Sequence, residues 1–185
     1  MMTLSHSEND EGLSILIISL CKYKLHEEEF VGPLVDIFKE KGNVKVIHYK
    51  ELEKEPKEDV IILSGTAIKD FEYLNYLDKF KWIKNTNKKV IGVGAGSQII
   101  ALTFGGKLKK KGFIGVYDVN SIFGKFRAYF LIVRYPVLSE NFEILGYVKD
   151  EPAIFKVKNR EIYGFTFHPE VLNSKLLLEI LSQNF

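Results

Sequence analysis

The chain has 185 residues, of which 46% are apolar and 13% aromatic, which suits one domain with its own core and excludes a disordered chain. A formal net charge of +2 gives no reason to expect nucleic acid or a membrane surface as a partner. The single cysteine, Cys21, excludes an internal disulfide and argues against a cysteine-rich zinc site. No apolar run reaches the length of a membrane span, and the polar, acidic N-terminus is unlike a signal peptide, so we expect a cytoplasmic protein.

The first half of the chain alternates between strand-like and helix-like segments, after a polar stretch, residues 1–12, that we expect to be flexible. Continuous β-branched apolar runs predict buried strands, and apolar residues three or four positions apart predict helices. In chain order, the predicted elements are strand 13–20, helix 27–42, strand 44–49, strand 60–64, helix 71–85, strand 88–93 and helix 97–106. This alternation favours a parallel sheet with helices on both faces.

The second half of the chain has a different pattern. Residues 107–138 form short strand-like pieces interrupted by glycine, which predicts antiparallel strands or hairpins at a sheet edge. Residues 142–148, 152–158 and 161–169 continue as strands, and a last helix covers 172–182. With no internal repeat or linker, residues 13–185 are expected to form one domain. Its expected fold is a flavodoxin-like three-layer α/β/α architecture, with a mainly parallel central sheet and added antiparallel strands in the second half.

The segment VIGVGAGSQ, residues 90–98, joins the fourth predicted strand to a helix and has three glycines at alternate positions. One interpretation is a phosphate-binding loop. The dinucleotide fingerprint, however, needs a glycine at the position of Ser97 and follows the first strand of its fold, not the fourth. The Walker motif is also absent, because no Gly-Lys-Ser/Thr follows the glycines. A nucleophile elbow is the other, a tight strand-turn-helix whose strained central residue needs small neighbours. Gly92, Ala95 and Gly96 supply small residues around Gly94, which favours the elbow.

Three segments are similar, in order, to the motifs of class I glutamine amidotransferases. GVGAGSQ (92–98) resembles the signature G-[IV]-C-x-G-x-Q, with Gly94 where the catalytic cysteine belongs. ILSGT (62–66) is similar to the family's I-L-S-G-G segment, and YGFTFHPEV (163–171) resembles Y-G-x-Q-F-H-P-E, which carries the histidine and glutamate of the triad. The motifs span most of the chain in the family's order and spacing, so the resemblance is specific for the family but not for a pathway.

The resemblance implies glutamine or a related amide as ligand, a partner synthase that receives the ammonia, and no cofactor or metal. It assigns the catalytic positions to Gly94 (nucleophile position), His168 and Glu170, and the oxyanion hole to Gly65, Thr66 and Ala95. In a strand, positions i and i+2 face the same side, so His168 and Glu170 would converge and Glu170 would orient the imidazole. The alternative is a core histidine and a solvated glutamate.

The nucleophile position departs from the family pattern. Gly94 has no side chain, so the thioester route is absent from the chain as written, whether by natural loss or by a deliberate Cys→Gly substitution. Ser97 lies one helical turn away, where capping or packing is the simpler role. Cys21 follows the first strand and is expected to be an inert buried thiol, with a role at the same sheet edge as a remote alternative.

The substrate-binding positions also depart from the pattern. Gln98 matches the family's glutamine and is expected to contact a bound amide, but Arg134 and Tyr135 stand where the family has a His-Ser pair. Either the glutamine pocket is altered and Arg134 meets another carboxylate, or Arg134 is a surface residue at a strand end. The basic run at 107–111 is either a solvated turn or hairpin or a docking patch for an acidic partner.

Three functions stay open on the sequence alone. The first is a glutamine amidotransferase-like protein with lost or suppressed hydrolysis, and the second is a non-catalytic subunit on the same fold that binds an amide or amino acid or regulates a synthase. The third is a nucleotide-binding α/β protein. The three ordered motifs favour the first.

Overall fold

The computed structural model describes residues 12–185. Residues 1–11, most of the stretch that was expected to be flexible, lie outside the described residues. Within these residues one sheet holds nine strands, which are β1 Leu13–Ser19, β2 Gly42–His48, β3 Val60–Leu63, β4 Lys89–Val93, β5 Lys107–Ser121, β6 Gly124–Val137, β7 Phe142–Val148, β8 Glu151–Val157 and β9 Ile162–Phe165. The helices are α1 Lys24–Phe30, α2 Gly32–Phe38, α3 Ala95–Thr103, α4 Pro169–Leu172 and α5 Ser174–Ser182, with 3-10 segments at Tyr49–Glu51 and Glu72–Asn85. No helix in the described part of the chain is long and apolar enough to cross a membrane.

The strand order in the sheet is β2-β1-β3-β4-β9-β8-β7-β5-β6. The first five strands in this order run parallel, and the remaining neighbours pair antiparallel. This confirms the predicted fold class, a flavodoxin-like α/β fold with antiparallel strands added by the second half of the chain. Because Val93 at the end of β4 pairs with Phe165 at the end of β9, the segments that follow the two strands meet at one sheet edge.

Both faces of the parallel half are covered, which explains the continuous apolar run of β1. Ile15 and Ile17 face a core that also contains buried side chains of α2 and α5. Leu16 and Ile18 face a second core, which includes buried side chains of α3 and of the long 3-10 helix. The predicted placement of helices on both faces is therefore confirmed.

Two of the predicted helices differ in the structure. Helix 27–42 is instead two helices, α1 and α2, that meet at Val31, because Pro33 in the first turn of α2 has no N–H to continue a helical ladder. Helix 71–85 is a 3-10 helix over Glu72–Asn85, with a non-helical Tyr76 inside it. For this second segment the apolar spacing does not distinguish the two forms, since 3-10 turns and α-turns place apolar side chains at similar spacings.

The predicted strand 161–169 and the last helix also differ. Strand β9 ends at Phe165, and His168 is the residue before α4, with Pro169 at the helix start, where its fixed φ is favourable. The expectation that His168 and Glu170 lie in a strand is therefore wrong. The two side chains meet across the first turn of a short helix, and a further helix, α5, follows from Ser174.

The predicted antiparallel region is a long hairpin of β5 and β6, with an irregularity in register between Lys110 and Phe113. The basic run lies on β5 of this hairpin. The ammonium groups of Lys109 and Lys111 lie 2.6 and 3.0 Å from the Glu151 carboxylate, so part of its charge is neutralised within the chain.

Candidate active site

Gly94 forms the turn between β4 and α3. Its backbone has φ +55° and ψ −113°, a conformation that side chains other than glycine adopt only with strain. The Gly94 N–H donates to the Phe165 carbonyl at 2.8 Å, and the Gly94 carbonyl accepts from the Ser97 N–H at 3.0 Å and its hydroxyl at 2.6 Å. The turn is thus held on both sides, and Ser97 is a buried residue that fixes it.

Close packing of strand against helix accounts for the two other glycines of the segment. A Cβ added to Gly96 would lie 2.4 Å from the Leu63 carbonyl oxygen, and one added to Gly92 would lie 2.4 Å from the Gly96 carbonyl oxygen. Real Cβ atoms do not approach backbone so closely, so neither position tolerates a side chain without a shift. Both glycines therefore have a structural use that requires no phosphate ligand.

His168 and Glu170 form a buried pair. The His168 Nδ1 lies 2.8 Å from the Glu170 Oε1, and each side chain is only 2% exposed. The backbone N–H of His168 donates to the Tyr129 carbonyl at 2.8 Å, and the ring packs against Phe30 and Tyr129. Glu170 thus orients the imidazole, and the alternative of a solvated glutamate does not hold for its side chain.

The free face of the imidazole points at the elbow. A Cβ built on Gly94 would lie 3.0 Å from the His168 Nε2 and 2.9 Å from its Cε1, and one built on Gly65 would lie 2.4 Å from the same Cε1. The Nε2 is buried and has no hydrogen-bond partner in the described residues. A proton acceptor therefore stands where a nucleophile at position 94 would need one. The ring also occupies part of that side chain's space, so a cysteine there would require the ring to move by a few tenths of an ångström.

The segments expected to supply an oxyanion hole converge on the same place. The Gly65 Cα lies 3.6 Å from the Cβ position built at Gly94. The Gly65 carbonyl is turned toward the Ser64 hydroxyl, which donates to it at 2.8 Å. Ala95 is the first residue of α3, whose leading N–H groups have no intrahelical acceptor. Thr66 is buried, and its hydroxyl donates to Asp70. Backbone N–H groups at a helix start are suited to stabilise a developing oxyanion.

Gln98 connects the helix to two other elements. Its Oε1 accepts a short hydrogen bond from the buried Tyr73 hydroxyl, and its Nε2 donates to the Arg134 carbonyl at 2.7 Å. Burial raises the pKa of Tyr73, so this hydroxyl stays a proton donor. Both ends of the Gln98 amide are therefore engaged within the chain, although it was expected to contact a bound amide.

Arg134 and Tyr135 point in opposite directions, because successive strand residues alternate between faces. Tyr135 is fully buried, and its hydroxyl lies 2.7 Å from the Pro152 carbonyl and 2.8 Å from the Thr166 hydroxyl. The Arg134 guanidinium stacks on the Phe71 ring, 3.6 Å from its centroid. The structure therefore places Tyr135 in the core and Arg134 on the side that carries the loop after β3.

A small cavity lies beside the elbow. Its volume is about 10 Å³, and it is lined by residues of the loop after β3, by Ala95 and Gln98, and by β6 residues 131–133. Such a space holds about one water molecule. An amino-acid ligand therefore requires the surrounding side chains to open.

Cys21 lies at the same sheet edge as the site. Its Sγ is 3.6 Å from the Gly65 carbonyl oxygen, and burial raises the pKa of the thiol. A buried thiol with a raised pKa is a poor source of thiolate, which agrees with the expectation of an inert cysteine.

Sequence reasoning missed several residues around the site. Tyr129 contributes a backbone carbonyl, Phe30 packs on the imidazole, and Phe71 carries the Arg134 stack. Only Phe71 had a signal available, its position a few residues after the ILSGT segment. The other two are brought in by long-range packing, which no local pattern reveals.

No protein-family model and no curated protein sequence matches the chain. Several solved structures, in contrast, are similar to the chain. A Thermoplasma acidophilum protein, provisionally described as one of the subunits of a GMP synthase, is 21% identical with a TM-score of 0.74, over 91% of this chain and 93% of that one. A glutamine amidotransferase from Thermotoga maritima is 17% identical with a TM-score of 0.66, over 91% and 84%. The Thermotoga maritima PurLQS structure has a chain that is 14% identical with a TM-score of 0.69, over 92% and 98%. At these identities the likeness establishes the fold.

Proposed function

We propose that the chain is a class I glutamine amidotransferase-like protein whose glutamine hydrolysis is lost or suppressed because Gly94 replaces the nucleophilic cysteine. The observation that carries the proposal is the unpaired His168 Nε2, which lies 3.0 Å from the point where a side chain at Gly94 would begin. The three motifs and the shared fold support the same assignment. In this proposal residues 13–185 act as one domain, in the cytoplasm, beside a synthase.

The family reaction explains each feature of the site. A thiol at position 94 would give its proton to His168, and the sulfur would attack the carboxamide carbon of glutamine. N–H groups of Ala95 and of the Gly65–Thr66 segment would stabilise the oxyanion, and His168 would return the proton to the departing ammonia. Water would then hydrolyse the thioester. Without the thiol, His168 has only water to activate, and a site without its nucleophile retains little activity.

Restoring the cysteine tests the proposal. Ammonia release from glutamine is measured for the chain as it is, for Gly94→Cys, and for Gly94→Cys combined with His168→Asn, each alone and with a synthase partner. We expect background activity from the unchanged chain, a gain in Gly94→Cys, and a loss of at least about a hundredfold when His168 is also replaced. Far-UV circular dichroism and titration of the new thiol establish that the variants are folded.

Two results would contradict the proposal. A folded Gly94→Cys variant with an accessible thiol and no glutaminase activity, even with the synthase, would remove the assignment to this reaction. Rapid glutamine turnover by the unchanged chain would show that hydrolysis does not need a side chain at position 94.

A non-catalytic role on the same fold is the second candidate. The observation that favours it is Arg134, a half-buried cation beside the site that has no ionic partner within residues 12–185. In this case the chain binds an amide or amino acid, or regulates a synthase, without turnover. Calorimetry with glutamine and glutamate on the unchanged chain distinguishes it from a protein that binds neither.

A further inference from the structure

The Arg134 side chain is oriented but unpaired. Its guanidinium carbon lies 3.6 Å from the centre of the Phe71 ring, a distance that stacks the planar cation on the aromatic face. Within residues 12–185 the guanidinium makes no hydrogen bond or ion pair, although the residue is half-buried. All five of its N–H donors are therefore free for a ligand or water.

The nearby carboxylate of Asp70 does not serve as the missing partner. Its Oδ2 accepts from the Lys22 N–H at 2.7 Å and from the Thr66 hydroxyl at 2.5 Å, and its Oδ1 accepts from the Glu72 N–H at 3.2 Å. These bonds stabilise the loop after β3 and occupy three of the acceptor positions of the carboxylate. Asp70 therefore adds negative charge to the region, but among residues 12–185 no carboxylate lies within ion-pair distance of the Arg134 guanidinium.

The backbone at Arg134 is fixed while its side chain is free. Gln98 donates to the Arg134 carbonyl at 2.7 Å and ties this part of β6 to α3, the helix that follows the elbow. Phe71, the platform for the guanidinium, lines the cavity that reaches Ala95 and β6 residues 131–133. The cation therefore stands at the rim of the cavity that adjoins the elbow.

We propose that Arg134, stacked on Phe71, binds the carboxylate of an amino-acid or dicarboxylate ligand whose other end reaches toward Gly94 and His168. A planar guanidinium donates two parallel hydrogen bonds to a carboxylate, and stacking leaves its N–H edge available for them. A singly charged carboxylate also suits the surroundings better than a phosphate dianion, since Asp70 already places negative charge nearby. The proposal rests on the same site as the proposed function and names the group that its ligand must carry.

Opening of the cavity is part of the binding step. The cavity of about 10 Å³ does not admit an amino acid, and Phe71 is one of its walls. Because the guanidinium has no hydrogen bond to another residue in 12–185, Arg134 and Phe71 can shift together without breaking one. Phe71→Leu, which removes the flat platform but keeps an apolar wall, is therefore expected to weaken binding severalfold.

Calorimetry on the unchanged chain tests the proposal with a matched pair of ligands. L-Glutamine carries the carboxylate, and 4-aminobutanamide is the same molecule without it. We expect 4-aminobutanamide to bind at least about tenfold more weakly, and Arg134→Gln to weaken glutamine binding by about ten- to a hundredfold and abolish the difference between the two ligands. Arg127→Gln, which removes an exposed guanidinium from the same strand, is the control and should bind glutamine as the unchanged chain does.

Several results would overturn the proposal. These are an absence of glutamine and glutamate binding, equal binding of the two matched ligands, unchanged affinity in Arg134→Gln, and inorganic phosphate binding through Arg134 as tightly as the carboxylates do. Kinetics in the Gly94→Cys background separate this proposal from the proposed function. If that variant is active and adding Arg134→Gln leaves KM unchanged, the carboxylate site fails and the function stands. If it is inactive while Arg134 still governs carboxylate binding, the function fails and the site stands.

Discussion

The conformation of Gly94 leads to a quantitative prediction for Gly94→Ala. Alanine at φ +55° is strained by about 1–3 kcal/mol. Its Cβ would also lie 2.9–3.0 Å from the His168 ring, and relieving such an overlap in a packed site costs about 1–3 kcal/mol more. We therefore expect a loss of about 2–6 kcal/mol in the free energy of unfolding, which lowers Tm by about 2–4 °C for each kcal/mol in a chain of this size.

A double-mutant cycle separates the two contributions. His168→Ala removes the ring that the new Cβ would meet, so Gly94→Ala should cost about 1–3 kcal/mol less in that background. Gly115→Ala is the matched control, since Gly115 also has a positive φ, +111°, but has nothing within 4 Å of an added Cβ. That variant should show only the cost of the backbone conformation.

Urea unfolding followed by circular dichroism gives the required free energies. The reasoning is refuted if Gly94→Ala costs less than about 0.5 kcal/mol, because position 94 would then not be a strained elbow. It is also refuted if the cost is the same with and without the His168 ring, because the ring would then not occupy the space of a side chain at position 94. Either result would weaken the structural basis of the proposed function.

Two further predictions concern hydrogen bonds and charges outside the elbow. Tyr73→Phe leaves the buried Gln98 Oε1 without a hydrogen-bond donor, so it should lower the free energy of unfolding, measured by urea titration, by about 1–3 kcal/mol. A change below about 0.5 kcal/mol would show that this hydrogen bond contributes little to stability. Burial raises the pKa of Glu151, but hydrogen bonds and charges from Lys109 and Lys111 outweigh it and lower the pKa overall. This stabilisation is complete above the ordinary carboxyl pKa of 4.5 and is lost as pH falls through the lower pKa of the folded state. Glu151→Gln should therefore make stability less dependent on pH below about 4.5, and an unchanged acid profile by thermal unfolding would contradict the pairing.

Much of the fold follows from local patterns, because its central strands are buried on both faces. The β1 run and the alternation of elements were sufficient to predict a parallel sheet, and the glycine-interrupted region from 107 onward was sufficient to predict antiparallel strands. The break at Val31 was not predicted, although Pro33 is a local signal for it, because the apolar spacing continues across the break. The 3-10 form of residues 72–85 was not predicted because apolar spacing is similar in 3-10 and α-helices.

The candidate site was less predictable than the fold. The motifs pointed to Gly94, His168 and Glu170, but the convergence of His168 and Glu170 was expected from a strand over 161–169, and the observed strand ends at Phe165. The stack of Arg134 on Phe71 joins residues far apart in the chain, so it depends on the sheet order and on how the loop after β3 packs. Such pairs are determined by tertiary structure and have no local signal.

The energetics of the site argue that stability alone does not explain its residues. The His168 Nε2 and the Glu170 Oε2 are both buried without a partner in the described residues, and each such atom costs about 1–3 kcal/mol. A buried ionisable pair is often no more stable than apolar residues of the same shape, so an apolar filling would serve the fold at least as well. Glycine at position 94 relieves the backbone strain of the elbow, but it gives these two polar atoms no hydrogen-bond partner. The His168 Nε2 instead faces the elbow at Gly94, and Arg134 is an unpaired cation near the adjoining cavity. We therefore infer that the region beside Gly94 is not ordinary core and that its polar residues serve ligand binding.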